Sequence, residues 1–303
     1  MFGAAIGDAL GSAFEFMRAD EIEAAIGEPF AWHYLSPLPG SLLPPREPGL
    51  PTDDTAMALS AAHVIVSSQD PSAVDFAQAF LADLDPRGGR FGRLFWEGAP
   101  GGTTMRALKR LKGGADPATC GQPDDGANGA AMRVHPVGFL RDRNDVLRVA
   151  GLQAAVTHGH PGAIAAAQAV AASVHDALAG FELEFAPPAG VEEPRFLDAW
   201  HRAHDGAIRS ADRLPRHLLG ADMSGWVTVA TAHAIAYIYQ DDPCRAIAAA
   251  AASGGDTDTV ASIVGAIVGA RSGLESLDSD WIAGLKIRAQ IETAVELLAD
   301  AIP

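Results

Sequence analysis

Apolar residues recur every three or four positions along most of this 303-residue chain, whereas strict alternation of apolar and polar residues is scarce. This spacing is typical of amphipathic helices, and alternation would have indicated strands, so the pattern predicts an all-α fold. Alanine, the strongest helix former, dominates many of the same stretches. The predicted helices cover residues 4–14, 55–68, 72–83, 103–112, 145–157, 162–179, 196–213, 226–240, 243–252, 259–271 and 281–299.

Two loops rich in proline and glycine interrupt the helical pattern, at residues 36–51 and 185–194. Composition is alike on both sides of each loop, and neither loop contains a charge run or a low-complexity tract, so neither resembles an interdomain linker. No sequence repeat of fixed period indicates a helical solenoid. We therefore predict a single domain over residues 1–303.

The charge balance is acidic: 22 Lys and Arg residues stand against 38 Asp and Glu residues, a formal net charge of −16. Such a surface disfavours nucleic acid or an anionic membrane as the main partner. Cys120 and Cys244 form no CxxC pair, which argues against a disulfide framework or a zinc ribbon. The uncharged stretch 259–270 is too short to span a membrane, so Gly265 and Gly269 predict close helix packing in a soluble core. The amino terminus lacks a secretory signal pattern, and we expect a cytoplasmic protein.

Two short acidic segments carry the strongest chemical signal. Thr-Asp-Asp-Thr at residues 52–55 opens one predicted helix, and Asp-Thr-Asp-Thr at residues 256–259 opens another. Helix capping alone is one explanation, because Thr and Asp are favoured at helix starts. However, no Lys or Arg occurs within residues 47–86 or 246–270, so the four aspartates lack a neighbouring counterion in the sequence. Carboxylate and hydroxyl ligands favour Mg²⁺, Mn²⁺ or Ca²⁺ over zinc, and two converging segments would form a two-metal centre.

Two glycine-rich elements suggest a phosphate or nucleotide site beside that centre. The first, at residues 98–104, leads into a predicted helix, and free backbone amides at a helix start can bind an anion. The second, at residues 126–133, is a turn of small residues. Either one alone is equally well explained as an ordinary tight loop. The predicted ligand contacts in these elements are Gly101, Gly102, Thr103, Asn128 and Gly129.

With these segments in this order, the sequence resembles the ADP-ribosylglycohydrolase family, which includes the dinitrogenase-reductase-activating glycohydrolases and a jellyfish lens crystallin. The resemblance extends over most of the chain, from residue 3 to about residue 281. The matching blocks are Gly-Ala-Ala-Ile-Gly-Asp-Ala-Leu-Gly at 3–11, Thr-Asp-Asp-Thr at 52–55, Gly-Gly-Thr-Thr at 101–104, Ala-Asn-Gly-Ala-Ala-Met-Arg at 127–133, Thr-His at 157–158 and Gly-Gly-Asp-Thr-Asp-Thr at 254–259.

This resemblance implies a compact orthogonal multi-helix bundle that holds two Mg²⁺ or Mn²⁺ ions. It further implies that the ions grip the distal ribose of an ADP-ribosyl group and hold a water near its anomeric carbon, for cleavage through an oxocarbenium-like state. Glu15 matches a catalytic glutamate of some relatives, with a role in acid/base catalysis or water positioning. His158 matches a position near the bound nucleotide. The implied metal ligands are Thr52, Asp53, Asp54, Asp256, Asp258 and Thr259.

The sequence also departs from the family pattern in two places. Many arginine-specific relatives carry an acidic residue a few positions before the Thr-Thr turn, where this chain has Ala99, Pro100, Gly101 and Gly102. Ala127 replaces the first glycine of the usual Gly-Asn-Gly, which implies a differently shaped nucleotide loop.

Three functions are compatible with these residues. The favoured one is a Mg²⁺-dependent hydrolase that removes ADP-ribose from a modified protein or a small-molecule conjugate. One alternative is a two-metal nucleotide phosphohydrolase, which would release phosphate or AMP. The other is a catalytically idle ADP-ribose-binding or structural relative, and the intact ligand set together with Glu15 counts against it.

Two further interpretations concern polar residues outside the motifs. Asp8, in an apolar helix, is expected to be a buried hydrogen-bonding group rather than a metal ligand. His201 and His204 are one helical turn apart, and we expect them on a solvated face with Arg202 and Asp205 rather than at a metal site.

Overall fold

A computed structural model of the chain describes residues 1–27, 33–209 and 222–301. Within these ranges the protein consists of α-helices, short 3-10 turns and loops, with isolated bridges but no β-strand, so the all-α prediction is confirmed. The α-helices are α1 (Phe2–Gly11), α2 (Ala19–Ile26), α3 (Asp53–Ser67), α4 (Ala73–Ala82), α5 (Gly92–Glu97), α6 (Gly102–Lys112), α7 (Arg143–Ala155), α8 (Pro161–Leu178), α9 (Pro194–Arg209), α10 (Gly225–Ile238), α11 (Pro243–Ala251), α12 (Thr257–Ser272), α13 (Ser279–Gly284) and α14 (Arg288–Ala301).

Most predicted helices agree with the observed ones to within a few residues, and the differences have physical causes. Helices α2 and α5 have only 8 and 6 residues, which is too short for apolar periodicity to be recognised. The single predicted helix 281–299 is wrong, because the chain breaks between α13 and α14, where the backbone N–H of Lys286 donates to the carbonyl of Gly49 at 3.0 Å. The final residues of the predicted helix 196–213, from 210 onward, lie outside the described residues.

Helices α1 and α12 cross so closely that their backbones are in contact. A methyl group added to Gly7 would lie 2.0 Å from the carbonyl oxygen of Ala261, and one added to Gly3 would lie 2.1 Å from that of Gly265. Gly11 makes the same kind of approach one turn further along α1. Only glycine permits this crossing, so the predicted packing role of Gly265 is confirmed.

These two helices form the centre of the molecule. Every residue of α1 is buried, and α12 is buried from Thr257 to Val268. The alanine-rich helices α8 and α10 pack against α12, because small side chains allow a close approach. The carboxyl end of α1 therefore lies beside the amino end of α12, where the second acidic segment begins. None of the described helices is both long and apolar enough to cross a bilayer.

The two histidines of α9 have different environments. His201 is exposed, as predicted, but the prediction is wrong for His204, which is fully buried. The Nε2 atom of His204 lies 3.0 Å from Nδ1 of His233, and its ring stacks on Trp200 with a centroid separation of 4.6 Å. The partner that buries His204 comes from α10, so local spacing within α9 could not reveal it.

Candidate functional site

The first acidic segment forms the amino terminus of α3. The Oγ1 atom of Thr52 accepts a hydrogen bond from the backbone N–H of Asp54 at 3.3 Å, as capping predicts, and Asp53 and Asp54 are both buried in the first turn. Beneath this turn, the fully buried carboxylate of Asp8 on α1 accepts from the N–H of Thr52 at 2.9 Å and from that of Thr55 at 3.1 Å. Asp8 is thus a hydrogen-bonding anchor, as predicted, and it fixes the start of α3 relative to α1.

The second acidic segment forms the amino terminus of α12. There the hydroxyl of Thr257 donates to the carbonyl of Gly11 at 2.8 Å, which ties the start of α12 to the end of α1. Asp256 occupies the N-cap position, yet its side chain caps no backbone N–H. Its Oδ2 atom instead accepts a hydrogen bond from the side-chain amide of Asn128 at 2.7 Å. Capping therefore does not explain Asp256, and Asp258 is buried beside it in the first turn.

The fold brings the two acidic segments together, with Glu15 next to them. The hydroxyl of Thr259 donates to Oδ2 of Asp54 at 3.0 Å, which joins the two helix starts directly. Glu15, Asp256 and Asp258 each offer a carboxylate oxygen within 4.8 Å of the other two. Among the residues that the structure describes, the Oε2 atom of Glu15 is buried and has no hydrogen-bond partner. We call this convergence of Glu15 with residues 52–54 and 256–259 the acidic centre.

The loop that carries Glu15 is tied to the glycine pair preceding Asp256. The N–H of Phe16 donates to the carbonyl of Gly255 at 2.7 Å, and the N–H of Gly255 donates to the carbonyl of Met17 at 2.9 Å. Phe16 has a φ of 62°, which a bulky side chain rarely adopts, so the surrounding contacts must impose it. Two reciprocal backbone hydrogen bonds thus hold Glu15 at the acidic centre.

Burial raises the pKa of the carboxylates at this centre. It is the largest cause of the upward pKa shifts of Asp53, Asp54 and Asp258, and the negative charges of neighbouring carboxylates add to it. Burial also raises the pKa of Glu15 to about 8, with the charge of Asp256 as the next cause. The surroundings therefore disfavour the ionised forms, and a bound cation would relieve both the desolvation and the mutual repulsion.

Two arginines lie near the acidic centre in the fold, Arg133 from a distant part of the sequence and Arg46 from six residues before Thr52. The wholly buried Arg133 interacts electrostatically with Asp53 and Asp54, and Arg46 interacts in the same way with Glu15. The prediction that the four aspartates lack a counterion holds for their neighbours in the sequence, but it is wrong for the folded chain. Nevertheless, the hydrogen bonds of Arg133 go to uncharged groups, and the Nε and Nη1 atoms of Arg46 have no partner among the described residues.

The glycine-rich turn before α6 packs directly on the first acidic segment. A methyl group added to Gly98 would lie 2.0 Å from the backbone nitrogen of the first residue of α3. A methyl group added to Gly101 would meet no atom within 4 Å, and Gly102 begins α6, where the first N–H groups of a helix have no acceptor within the helix. The Oγ1 atom of Thr103 accepts a hydrogen bond from Nη2 of Arg106 at 3.0 Å. Ligand contacts by the glycines and Thr103 stay predictions.

The second glycine-rich loop joins the same region. The amide of Asn128 that reaches the second acidic segment also donates to Oγ1 of Thr228 on α10 at 3.1 Å. A methyl group added to Gly129 would lie 2.9 Å from Cε1 of His158 and 3.2 Å from Oγ1 of Thr104 on α6. Asn128, Gly129 and His158 are thus neighbours of both the acidic centre and α6, although their role as ligand contacts stays a prediction.

Sequence reasoning missed two polar groups near this site. Buried Asp125 pairs with Arg106 at 3.3 Å and with Arg110 at 2.8 Å, which links the second glycine-rich loop to α6. Two arginines four residues apart on one helix were a usable signal for this pair. Thr228 left no such signal, because nothing in the spacing of the polar residues of α10 sets it apart from Thr231 or His233.

Comparisons with known proteins agree with this assembly of motifs. The chain is 27% identical over 303 residues to the ADP-ribosyl-dinitrogen reductase glycohydrolase of Rhodospirillum rubrum, covering 98% of this chain and 92% of that protein. It is 28% identical over 321 residues to the ADP-ribosylhydrolase ARH3 of Bos taurus, with 92% and 85% covered. A solved chain of an ADP-ribosylglycohydrolase-related protein complex superposes with a TM-score of 0.73 at 25% identity, covering 99% of this chain and 95% of that one.

The sequence model of one family accounts for the full length of the chain. The ADP-ribosylglycohydrolase model matches residues 1–303, which include both acidic segments and both glycine-rich loops. The all-α architecture is also that of the superposed structure. This chain therefore belongs to the ADP-ribosylglycohydrolase family.

Proposed function

We propose that the protein is a metal-dependent hydrolase that cleaves the glycosidic bond between the distal ribose of ADP-ribose and an acceptor. The observation that carries this proposal is the acidic centre, where two helix starts and Glu15 converge beside two glycine-rich loops. We further propose that residues 1–303 act as a single domain in the cytoplasm.

The residues of the acidic centre fit two Mg²⁺ or Mn²⁺ ions. They supply only oxygen ligands, which hard divalent cations prefer. The Oε2 atom of Glu15 is buried without a hydrogen-bond partner among the described residues, and the pKa values of Asp53, Asp54 and Asp258 are raised. Both observations indicate that no cationic side chain that the structure describes is paired with these carboxylates. When bound, the ions would hold the ribose hydroxyl groups in place and lower the pKa of a water molecule near the anomeric carbon. The residues proposed to hold them are Thr52, Asp53, Asp54, Asp256, Asp258 and Thr259.

The other side chains have separate proposed roles. Glu15 is proposed as the acid/base or water-positioning group, because its buried carboxylate lies beside those of Asp256 and Asp258. Asn128 keeps the Asp256 carboxylate in place through its side-chain amide. The ADP-ribosyl group would be bound by Gly101, Gly102, Thr103, Asn128, Gly129 and His158.

Relatives indicate the class of substrate. Their names include an ADP-ribosyl-dinitrogen reductase glycohydrolase and, in Pseudomonas putida, an ADP-ribosylarginine hydrolase that is 26% identical to this chain over 320 residues. We infer that this protein acts on an ADP-ribosylated protein or on a small-molecule ADP-ribose conjugate.

The ligand preference tests this function. We expect ADP-ribose to bind more tightly than AMP or ribose, because only the intact molecule reaches both the acidic centre and the amides around Gly101. Isothermal titration calorimetry in Mg²⁺ measures the three affinities. Equal affinities for AMP and ADP-ribose would contradict the proposal, since the distal ribose would then contribute nothing to binding.

Removal of metal should lower the stability of the protein. Metal that binds only the folded state at 100 times its dissociation constant stabilises it by about 2.7 kcal/mol, which corresponds to several degrees of melting temperature. We expect EDTA to lower the melting temperature and Mg²⁺ to restore it. Asp256→Asn should raise the melting temperature of the metal-free protein by reducing repulsion, and it should shrink the gain from Mg²⁺. The Asn128 hydrogen bond survives this change, because the new amide oxygen can also accept it.

An ordinary capping aspartate provides the matched control. Asp142 accepts hydrogen bonds from two backbone N–H groups at the start of α7 and is not part of the acidic centre. Asp142→Ala should cost about 1 kcal/mol both with and without Mg²⁺. If Asp256→Asn likewise destabilises the metal-free and the Mg²⁺-bound protein by the same amount, Asp256 is a structural residue and not a metal ligand.

A further inference from the structure

A buried chain of hydrogen bonds runs behind the second glycine-rich loop. The guanidinium of Arg133 is fully buried, and its Nη2 atom donates to Oγ1 of Thr157 at 2.6 Å. The same Oγ1 atom lies 2.7 Å from Nδ1 of His158. Arg133 is held in place by Gln153, which accepts from its Nε at 2.9 Å, and by the ring of Phe80, whose centroid lies 4.4 Å from the guanidinium carbon.

The donors and acceptors in this series of hydrogen bonds determine which atoms carry the protons. A guanidinium can only donate hydrogen bonds, so the oxygen of Thr157 must accept from Arg133. The Thr157 oxygen has a second lone pair and could also accept from an Nδ1–H of His158, but the buried hydroxyl proton of Thr157 would then have no acceptor among the described residues. The arrangement that satisfies both groups has Thr157 donating to Nδ1 of His158. A neutral imidazole whose Nδ1 accepts carries its proton on Nε2.

The surroundings also keep His158 uncharged. Burial lowers its pKa to about 3, and the positive charge of Arg133 is the next cause. Arg106 and Arg110 act in the same direction, and only the carboxylate of Asp125 opposes them. The ring therefore stays neutral at every pH at which an enzyme of this kind would be assayed.

The Nε2 atom points toward the candidate ligand loops. A methyl group added to Gly129 would lie 3.1 Å from Nε2 of His158 and 3.2 Å from Oγ1 of Thr104. Within the described part of the chain, the hydrogen bond recorded for the His158 ring is the one at Nδ1. An Nε2–H group beside a glycine can then donate to an acceptor atom of a ligand.

We propose that Arg133 and Thr157 are positioning residues, which hold His158 as a permanently neutral Nε2–H donor to an oxygen of the bound ADP-ribosyl group. This assignment rests on the proposed function only for the identity of the ligand. A charged imidazolium would bind a phosphate more tightly at pH values below the pKa of the ring. A neutral Nε2–H donor predicts a ligand affinity that does not depend on the ionisation of His158.

The tautomer can be measured without any ligand. Long-range ¹H–¹⁵N correlation spectra of the full-length protein, with His158→Gln used for assignment, should show His158 as the neutral Nε2–H form between about pH 5 and pH 8. An Nδ1–H tautomer, or protonation of His158 within this range, would overturn the proposal. Neither result depends on whether the protein binds ADP-ribose.

Two variants of Thr157 then connect the tautomer to binding. Thr157→Val removes the hydroxyl at nearly constant shape, so His158 should lose its single tautomer and ADP-ribose should bind about tenfold more weakly. Thr157→Ser keeps the hydroxyl and should retain both the tautomer and an affinity within about twofold of the original. Unchanged affinity for ADP-ribose in a folded Thr157→Val protein would refute the positioning role of Thr157.

The pH dependence of binding supplies a second test that needs no variant. The ADP-ribose affinity of the unmodified protein, corrected for the pH dependence of Mg²⁺ binding, should show no contribution from His158 ionisation. Tighter binding that develops below about pH 6.5 and disappears in His158→Gln would overturn the proposal. If the unmodified protein binds no ADP-ribose, the proposed function fails, while the spectrum still decides the tautomer.

Discussion

Glu15→Gln should lower the rate of ADP-ribosyl hydrolysis by about 10²–10⁴-fold and leave the affinity for ADP-ribose nearly unchanged. Glutamine has the shape of glutamate but cannot transfer a proton at neutral pH. The carboxylate of Glu15 lies in the same cluster as Asp256 and Asp258, so a role as metal ligand has to be separated from a role in proton transfer. The affinity for Mg²⁺, measured by calorimetry on the same variant, makes this separation: an acid/base residue leaves it unchanged, whereas a ligand does not.

The matched control for this variant is Glu296→Gln, because Glu296 is an exposed glutamate on α14. It should leave the rate and both affinities unaltered. Near-normal turnover in Glu15→Gln would remove Glu15 from the mechanism. A large loss of Mg²⁺ affinity would instead reassign Glu15 as a ligand of the metal.

Gly7→Ala should destabilise the protein by about 3 kcal/mol or more, which corresponds to roughly 6–12 °C in melting temperature. The added methyl group would lie 2.0 Å from the carbonyl oxygen of Ala261, which belongs to the buried backbone of α12 and has no flexible side chain to move aside. Helix α1 or α12 would have to shift. Because α1 also carries Asp8, and Asp256 immediately precedes α12, the same shift would separate the two acidic segments and weaken Mg²⁺ binding.

Gly151→Ala is the control for this prediction, since it makes the same substitution inside α7. There the new methyl group would lie 3.4 Å from the flexible end of Gln168 and 3.8 Å from Cγ2 of Ile164, which is ordinary contact with side chains. Alanine is the better helix former, so this variant should be neutral or more stable by about 0.5–1 kcal/mol. Equal melting temperatures for the two variants would refute the close backbone crossing. Thermal unfolding with and without Mg²⁺ measures both.

The sequence was most informative where the chemistry is local. Residues 52–55 and 256–259 each present their carboxylates and hydroxyls within four positions, so their types and spacing predict an oxygen-ligand site before any fold is known. The apolar spacing likewise predicts most helices. By contrast, the approach of Thr259 to Asp54 spans 205 positions, and only the crossing of α1 with α12 and the anchoring of α3 by Asp8 bring them together.

The missed features are those that depend on partners distant in sequence. His204 has the spacing of a surface residue on α9, yet it is buried by His233 and Trp200. Arg133 is a charged residue in a short motif, and its position near Asp53 requires the folded chain. The break before α14 depends on a backbone hydrogen bond to a loop more than two hundred residues earlier, which no local pattern encodes.

Mass spectrometry of reaction products tests the central claim most directly. The protein would be incubated with arginine-linked, serine-linked and nucleic-acid-linked ADP-ribose, each with Mg²⁺ and with EDTA, and Glu15→Gln would serve as the inactive control. We predict release of intact ADP-ribose together with the unmodified acceptor from at least one substrate, in Mg²⁺ only. Release of AMP or phosphate would contradict the account and indicate a two-metal phosphohydrolase, and undiminished release of ADP-ribose in EDTA would contradict the role of the metal.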